Sequence, residues 1–444
     1  MITVGLYTLG CKVSQYETEA IAEKFEQNGI EVRPFSEKND IYVINTCTVT
    51  AESDRKSRQF IRRAIKENPD AVVAVVGCYS QRSADEVALI DGVDIIFGTD
   101  GKLAVVDAAI SCLKNKRAGI PCEKNVSVTD VGRVGFEPMK ITKAPRTRAY
   151  VKIEDGCESK CTYCAISAAR GRVRSKKADD VIAEVSSLFE SGIGEVVLTG
   201  IETGSYGRDF CESYTLADLI CELNFACPGG RIRLGSLSPE LVGEAFVNKV
   251  FGVGILLPHF HLSMQSGSNS VLARMKRRYT RERALENIER LRKAFPEANF
   301  TTDLMVGFPG ESEEDFLLTC DFVSKAEFLD AHVFAYSRRK DTPAYSYENQ
   351  ISEALKSERS ARLIAHKNAV RDGLLSQVVS DGKEITVIAE SVDKCGLLCA
   401  HSESFIEVKI PLENGGDKAQ SMLGKWFKVA PVSHKNGVLY CKQI

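Results

Sequence analysis

The 444-residue chain is 44% hydrophobic and 27% charged, a composition typical of folded globular proteins, and its length asks for two or three domains rather than one core. A formal net charge of -2 excludes a globally basic nucleic-acid binder, so any surface for a polyanion has to be a local basic face. No apolar run is long enough to span a bilayer, the opening MITVGLYTLGCK lacks a signal-peptide pattern, and 15 cysteines in the cytosol expected for such a chain point to metal binding or catalysis before disulfides.

In chain order, ITVGLYTLG reads as a strand, followed by a helix from Glu17 to Asn28. IYVINTC and AVVAVVGC are two further strands with a basic helix between them, and strand character returns from Val93 to Phe97. Strand–helix alternation of this kind predicts an N-terminal open parallel α/β domain over 1–122. Residues 123–148 have little periodicity and collect Lys140, Lys143, Pro145, Arg146 and Arg148, which predicts a linker. From Ala149 the alternation restarts with AYVKIE, EVVLTG, IRLGS, HFHLSMQ, NFTTDLMVGF and DAHVFAYS. Six such units predict a full or partial (β/α) barrel over 149–375, with its chemistry at the C-terminal ends of the strands. After a basic helix from Glu353 to about Ser376, short strands with Gly or Asn turns (ITVIAE, FIEVKIP, WFKVAPV, VLYCKQI) predict a small all-β barrel over 376–444.

The sharpest local signal is Cys157-Glu-Ser-Lys-Cys161-Thr-Tyr-Cys164, in the loop after the first barrel strand. Thiolates spaced C-x3-C-x2-C on one loop reach three corners of a cubane iron–sulfur cluster and leave the fourth iron open. An open iron can chelate the amino and carboxylate groups of S-adenosylmethionine, and an electron entering the sulfonium bond then releases an adenosyl radical. A structural zinc knuckle needs a fourth ligand, and none lies nearby in the sequence. A second set is dispersed, with Cys11, Cys47 and Cys78 each following one of the first three strands. Loops after consecutive parallel strands gather at one sheet edge, where open α/β folds bind ligands. Each of these cysteines alone would pack as a small hydrophobe. Their repeated strand-end position favours a shared site. The other nine, among them the close pair Cys395 and Cys399, show no comparable setting.

These residues resemble those of the radical S-adenosylmethionine enzymes, and the additional Cys11, Cys47 and Cys78 resemble the methylthiotransferases among them. The resemblance covers essentially the whole chain and ends in a C-terminal barrel similar to a TRAM domain. LGCKVSQYETE, NTCTVT with KSRQFIRRA, GCYSQ, LTGIETGSYGRD, LSMQSGS, MKRRYTRE and FAYSRRKDTPA resemble the branch that methylthiolates C2 of N6-threonylcarbamoyladenosine at position 37 of tRNA. One sister branch acts on isopentenyladenosine in tRNA and another on an aspartate of a ribosomal protein. Ala165-Ile166-Ser167 departs from the usual proline after the cysteine loop and leaves the thiols intact. The resemblance implies two 4Fe-4S clusters and S-adenosyl-L-methionine as cofactors. It also implies tRNA (the anticodon stem-loop) and an electron donor protein as partners. One cluster would cleave S-adenosylmethionine while the other, on Cys11, Cys47 and Cys78, would carry the sulfur to be methylated and inserted. A competing expectation of another class is a non-catalytic zinc-containing RNA-binding protein.

Further candidates follow from position. Tyr163 lies between two cluster cysteines, where similar enzymes place an aromatic near the adenine, or it simply packs the loop. Thr199, Gly200 and Glu202 end the second barrel strand and resemble the family's stretch for the methionine moiety. Ser236 and Gln265 end later strands as polar contacts, and Val306 and Gly307 open a turn able to hold adenine. Arg338 and Arg339 follow the last barrel strand and are expected at the modified base or a phosphate. Basic groups at Arg55, Lys56, Arg58, Arg62, Arg63 and Lys66, at Arg170, Arg172, Arg174, Lys176 and Lys177, and at Arg274, Lys276, Arg277 and Arg278 are expected to position RNA phosphates. From Ser376 onward eight lysines balance eight acids with no arginine, so the last domain does not announce RNA by charge.

Overall fold

β-branched runs form the first sheet, because Val and Ile pack well on a pleated surface covered by helices on both faces. The structure, a computed structural model, describes residues 1–145, 147–412 and 420–444; Arg146 of the basic linker lies outside the described residues. Six parallel strands, β1 (Thr3–Thr8), β2 (Glu31–Arg33), β3 (Ile41–Thr46), β4 (Val72–Gly77), β5 (Ile95–Phe97) and β6 (Asn125–Ser127), lie in the order β2-β1-β3-β4-β5-β6. The central β3 and β4 are buried along their whole length. The order reverses at β1 and β3, so the loops carrying Cys11 and Cys47 leave the sheet at its switch point. β6 falls inside the predicted linker. It pairs with β5 from Asn125 to Ser127, so the first part of that segment belongs to the N-terminal sheet. Farther on, Met139 and Ile141 are buried in the core of the second domain.

That domain opens with β7 (Arg148–Lys152). A two-residue antiparallel pair, β8 (Glu154–Asp155) with β9 (Arg174–Ser175), then clamps the ends of the cysteine loop. The remaining barrel strands are β10 (Glu195–Thr199), β11 (Ile232–Leu234), β12 (His259–Gln265), β13 (Asn299–Val306) and β14 (Asp330–Ala335). They form two parallel three-stranded sheets, β11-β10-β7 and β12-β13-β14, joined by bridges such as Leu237 to Leu262. The six strands therefore make an open, partial barrel with β7 and β14 at its edges. Its core runs from Val151 and Leu198 to Phe300 and Leu304.

The long helix Glu353–Asp381 leads to a closed barrel of β15 (Ile385–Val392), β16 (Leu398–Ser402), β17 (Glu407–Ile410), β18 (Trp426–Lys435) and β19 (Val438–Gln443). Cys399 lies on β16 and Cys395 in the turn before it, a hairpin explanation for that pair. This barrel seats on the N-terminal ends of the radical-domain strands. Trp426 Nε1 donates to the carbonyl of Gly194, and Asn299 to that of Ser404. Phe405 stacks on His259 with ring centroids 4.4 Å apart. Among the described residues no helix is long and apolar enough to cross a membrane.

Candidate active site

Each thiol triplet is built by strand ends. Gly77 closes β4 at φ +105, and an added Cβ would lie 2.6 Å from both Asn45 Oδ1 and the Thr46 carbonyl, so only glycine brings Cys78 this close to β3. The sulfur of Cys47 sits 3.5 Å from the same construction at Gly10, which places Cys47 against the Cys11 loop. Burial pushes the Cys47 thiol up to about 11, and the neighbouring Cys78 and Cys11 add to that rise. The three dispersed cysteines thus converge. On the other loop, Gly156 at φ +91 lets Cys157 pass under the Arg172 carbonyl, which a Cβ would meet at 1.9 Å. Thr162 then pins the loop, its N–H donating to Met275 O at 3.1 Å and its hydroxyl to Arg274 O at 2.9 Å. Burial pushes the Cys164 thiol up to about 12, with Cys161 and Cys157 contributing.

Thiols held this high ionise only beside strong positive charge, which iron supplies on binding. Among the described residues no three His, Cys, Asp or Glu side chains converge tightly enough to ligate one metal ion. A zinc site requires that arrangement, whereas cluster thiolates bind separate irons. The donor set, three free thiols on each side with Cys78 and Cys161 buried and Cys11 exposed, fits iron–sulfur clusters.

The two triplets are joined by a buried charge network. Arg170, in the short helix after Cys164, donates from Nε to Cys78 Sγ at 3.3 Å and from Nη1 to Glu17 at 2.6 Å and Asp155 Oδ2 at 3.1 Å. Glu17 also pairs with Lys102 and Lys152, and Asp155 with Lys152 and Arg174. Burial alone would raise the Glu17 carboxyl, yet Arg170, Lys102 and Lys152 hold it well below the usual range. Arg170 was expected at RNA and is 0% exposed, so it serves the interface instead. Arg174 and Lys176 are buried as well, the latter on Glu184, while Arg172 and Lys177 face outward.

Glu202 is buried, accepting from the Ser238 N–H at 2.9 Å, and burial pushes its carboxyl up to about 7. Beside it Glu154, which sequence reasoning passed over, accepts from the Glu202 N–H at 2.9 Å and is raised by its own burial. An added Cβ at Gly200 would lie 2.5 Å from Glu154 Oε2. Glu154 Oε1 and Gln265 Oε1 are buried without a hydrogen-bond partner. Orphaned acceptors beside two raised acids fit a cationic ligand such as S-adenosylmethionine, whose ammonium and sulfonium both carry positive charge. Gln265 stands at φ +69 beside a register slip in β12, strain of the kind stored at ligand sites. Two acids in the strand run directly before Cys157 were the available signal for Glu154.

Thr199, Gly200 and Ser236 line one cavity with Cys11. Tyr163 packs edge-on against Phe308, 6.5 Å between centroids, beside Val306 and Gly307 in the later turn. The absence of a side chain at Gly307 leaves room for Lys356, whose Cγ would lie 2.3 Å from an added Cβ. Arg277, grouped with the RNA-facing cluster by sequence, turns inward and donates to Cys161 Sγ at 3.3 Å and to Ser263 O at 2.8 Å. Arg274 likewise turns to Gly310 O. Arg339 is buried, donating to Asp54 and to Thr48 Oγ1 at 2.8 Å next to Cys47, so it clamps the domains rather than facing RNA. Arg338 stays exposed on the Tyr345 ring. Arg58 donates to Tyr79 at 3.0 Å, while Arg62 and Arg63 are exposed on the same helix.

The Radical SAM superfamily matches residues 151–323, and the Uncharacterized protein family UPF0004 matches residues 3–98. The threonylcarbamoyladenosine tRNA methylthiotransferase MtaB of Bacillus subtilis (strain 168) is 42% identical over 433 residues, covering 97% of this chain and 93% of that protein. The tRNA-2-methylthio-N(6)-dimethylallyladenosine synthase of Thermoanaerobacter pseudethanolicus is 33% identical, covering 87% and 82%. The fold resembles that of the radical S-adenosylmethionine methyltransferase TsrM from Kitasatospora setae, at a TM-score of 0.55 and 18% identity over 78% of this chain and 77% of that one. With both domains matched and full-length relatives at this identity, the chain belongs to the radical S-adenosylmethionine methylthiotransferases, transferases that use S-adenosylmethionine and a 4Fe-4S cluster.

Proposed function

We propose that this enzyme methylthiolates C2 of N6-threonylcarbamoyladenosine at position 37 of tRNA, in the cytoplasm. It would hold two 4Fe-4S clusters, one on Cys157, Cys161 and Cys164 and one on Cys11, Cys47 and Cys78. The observation that carries the reading is the pair of thiol triplets linked by Arg170, which bonds Cys78 and the Asp155 that precedes the radical loop, beside relatives named for this modification. The cluster on the radical loop supplies the electron that cleaves S-adenosylmethionine, delivered by a donor protein. Glu154 and Glu202 hold the cationic methionine end, and Thr199, Gly200, Ser236 and Gln265 complete the polar wall. Tyr163, Val306 and Gly307 stand on the adenine side. Arg62, Arg172 and Arg338, all exposed, position RNA phosphates, with Arg58 behind them.

Anaerobically reconstituted protein, given S-adenosylmethionine, reductant, sulfide and tRNA carrying threonylcarbamoyladenosine, should add one methylthio mass to that nucleoside. Transfer to isopentenyladenosine tRNA or to a ribosomal protein in the same assay, with none to threonylcarbamoyladenosine, would overturn the substrate assignment.

A further inference from the structure

Away from both candidate cluster sites, two further thiols meet. Cys112 lies near the end of the helix Ala104–Arg117, and Cys122 comes shortly before the edge strand β6. Both are free thiols, and their sulfurs stand 2.7 Å apart. Cys122 Sγ also reaches the Cys112 carbonyl at 3.9 Å.

The chain between them is folded to hold this contact. The helix ends in a tight reversal, in which the Ala118 N–H donates to Lys114 O at 3.0 Å and the Ile120 N–H to Asn115 O at 3.0 Å. Gly119 takes the turn at φ +69, and Pro121, with its fixed φ, delivers Cys122 back to the helix. Beyond Cys122 the Asn125 N–H donates to Asp94 O at 2.9 Å, so the segment is fixed on both sides. A sulfur–sulfur bond is about 2.05 Å long, so joining the two needs a shift of less than about 1 Å. The thiols differ in access. Cys112 is 6% exposed, and burial together with the bond from Cys122 pushes it up to about 12. Cys122 is half-buried and lines an open recess of about 660 Å³ with Asp94, Lys116 and Arg117.

We propose that Cys112 and Cys122 form a reversible dithiol–disulfide site, oxidised by a low-molecular-weight disulfide, that staples the helix Ala104–Arg117 to β6. The Cys122 thiolate, on the open side, attacks one sulfur of the small disulfide, forms a mixed disulfide and expels one small thiolate. The Cys112 sulfur then attacks the Cys122 sulfur, closing the intramolecular bond and expelling the second. Two electrons pass from the protein pair to the small disulfide, and the two protein thiol protons end on the released thiols. Excess thiol reverses both steps, as befits a transient disulfide in a reducing compartment. The staple reaches beyond its own turn. β6 pairs with β5, and the chain runs on to Val131, whose carbonyl accepts from Arg174 at 3.1 Å where the radical cysteine loop closes. The site stands apart from the substrate assignment and does not rest on it.

Reconstituted protein is equilibrated without air in graded mixtures of glutathione and glutathione disulfide, quenched in acid, alkylated and mapped by peptide mass spectrometry. Peptides joined through Cys112 and Cys122 should appear, and vanish on added dithiothreitol. They should form at a lower proportion of glutathione disulfide than adducts on the half-buried Cys221 and Cys320. Cys112→Ser should stop the reaction at a glutathione adduct on Cys122, whereas Cys122→Ser should leave the buried Cys112 unmodified. In the oxidised wild type the Asn125–Ser127 amides should exchange hydrogen several-fold more slowly than in the reduced protein. Wild-type protein that carries only the glutathione adduct at Cys122, or a linked pair that leaves exchange at β6 unchanged, would overturn the proposal.

Discussion

Arg170 is the residue on which the two thiol loops depend together. Its guanidinium spans Glu17 of the first domain, Asp155 before the radical loop, and the Cys78 sulfur, with 0% exposure. Removing one partner from a buried ionic network leaves the rest uncompensated, which costs about 3–5 kcal/mol. Arg170→Met should therefore lower unfolding stability by about that amount in denaturant titrations. It should also reduce iron retention at the Cys11, Cys47 and Cys78 site more than at the radical loop. Arg170→Lys keeps the charge without the planar fork and should recover only part of the loss. Gly77→Ala acts on the same site through the backbone, since its φ of +105 and the 2.6 Å approach of Asn45 leave no room for a methyl. Its stability should fall by about 1–3 kcal/mol in the same titration. The basic run from Arg170 to Lys177 reads in sequence as one RNA-facing stretch. Nothing in composition says that Arg170, Arg174 and Lys176 turn inward, because their partners Glu17, Asp155 and Glu184 all lie outside the run.

At the scale of elements, Glu195 ties the first three barrel strands to the C-terminal barrel. It begins β10, accepts from Arg148 and from Arg233 at 2.7 Å each, and these two arginines reach Glu390 and the Glu403 carbonyl across the interface. Burial alone would raise this carboxyl, but Arg233 and Arg148 hold it below the ordinary value of 4.5. A depressed folded value means the carboxylate stabilises the native state above pH 4.5 and loses that contribution as pH falls through the folded value. Thermal unfolding followed across this acid range should show the loss, and Glu195→Gln should flatten that part of the pH profile. The parallel strands themselves were legible, because runs such as AVVAVVGC and EVVLTG are short, apolar and bounded by turns. The three-residue strands Glu31–Arg33 and Asn125–Ser127 were not. They are exposed or half-buried edges whose partners, more than their own patterning, make them strands. Neither was the seating of the last barrel under the second, which depends on Phe405 at φ +71 between His259 and two arginines.

At the scale of the whole molecule, the nearness of the Cys11, Cys47 and Cys78 loops was legible for a topological reason. Consecutive parallel strands send their loops to one edge, so residues 11, 47 and 78 could meet without any local motif. The RNA surface follows no such rule, and the structure thins its candidates. Arg170, Arg174, Lys176, Arg277 and Arg339 are committed inside the protein, while Arg62, Arg63 and Lys66 project from one helix beside the Cys47 loop. With a net charge of -2 the chain as a whole does not attract RNA, so binding has to rest on such local groups. Each phosphate neutralised releases counterions and adds roughly 0.7 to the slope of log affinity against log salt for single-stranded RNA. Replacing Arg62, Arg63 and Lys66 by alanine should weaken tRNA binding at low salt and reduce that slope by about 2, measured by fluorescence titration from low to physiological salt. These side chains are exposed, so stability should change by less than about 0.5 kcal/mol for each. An unchanged slope would move the RNA to the other exposed basic groups, Arg172, Lys276, Arg278 and Arg338, whose replacement should then carry the same signature.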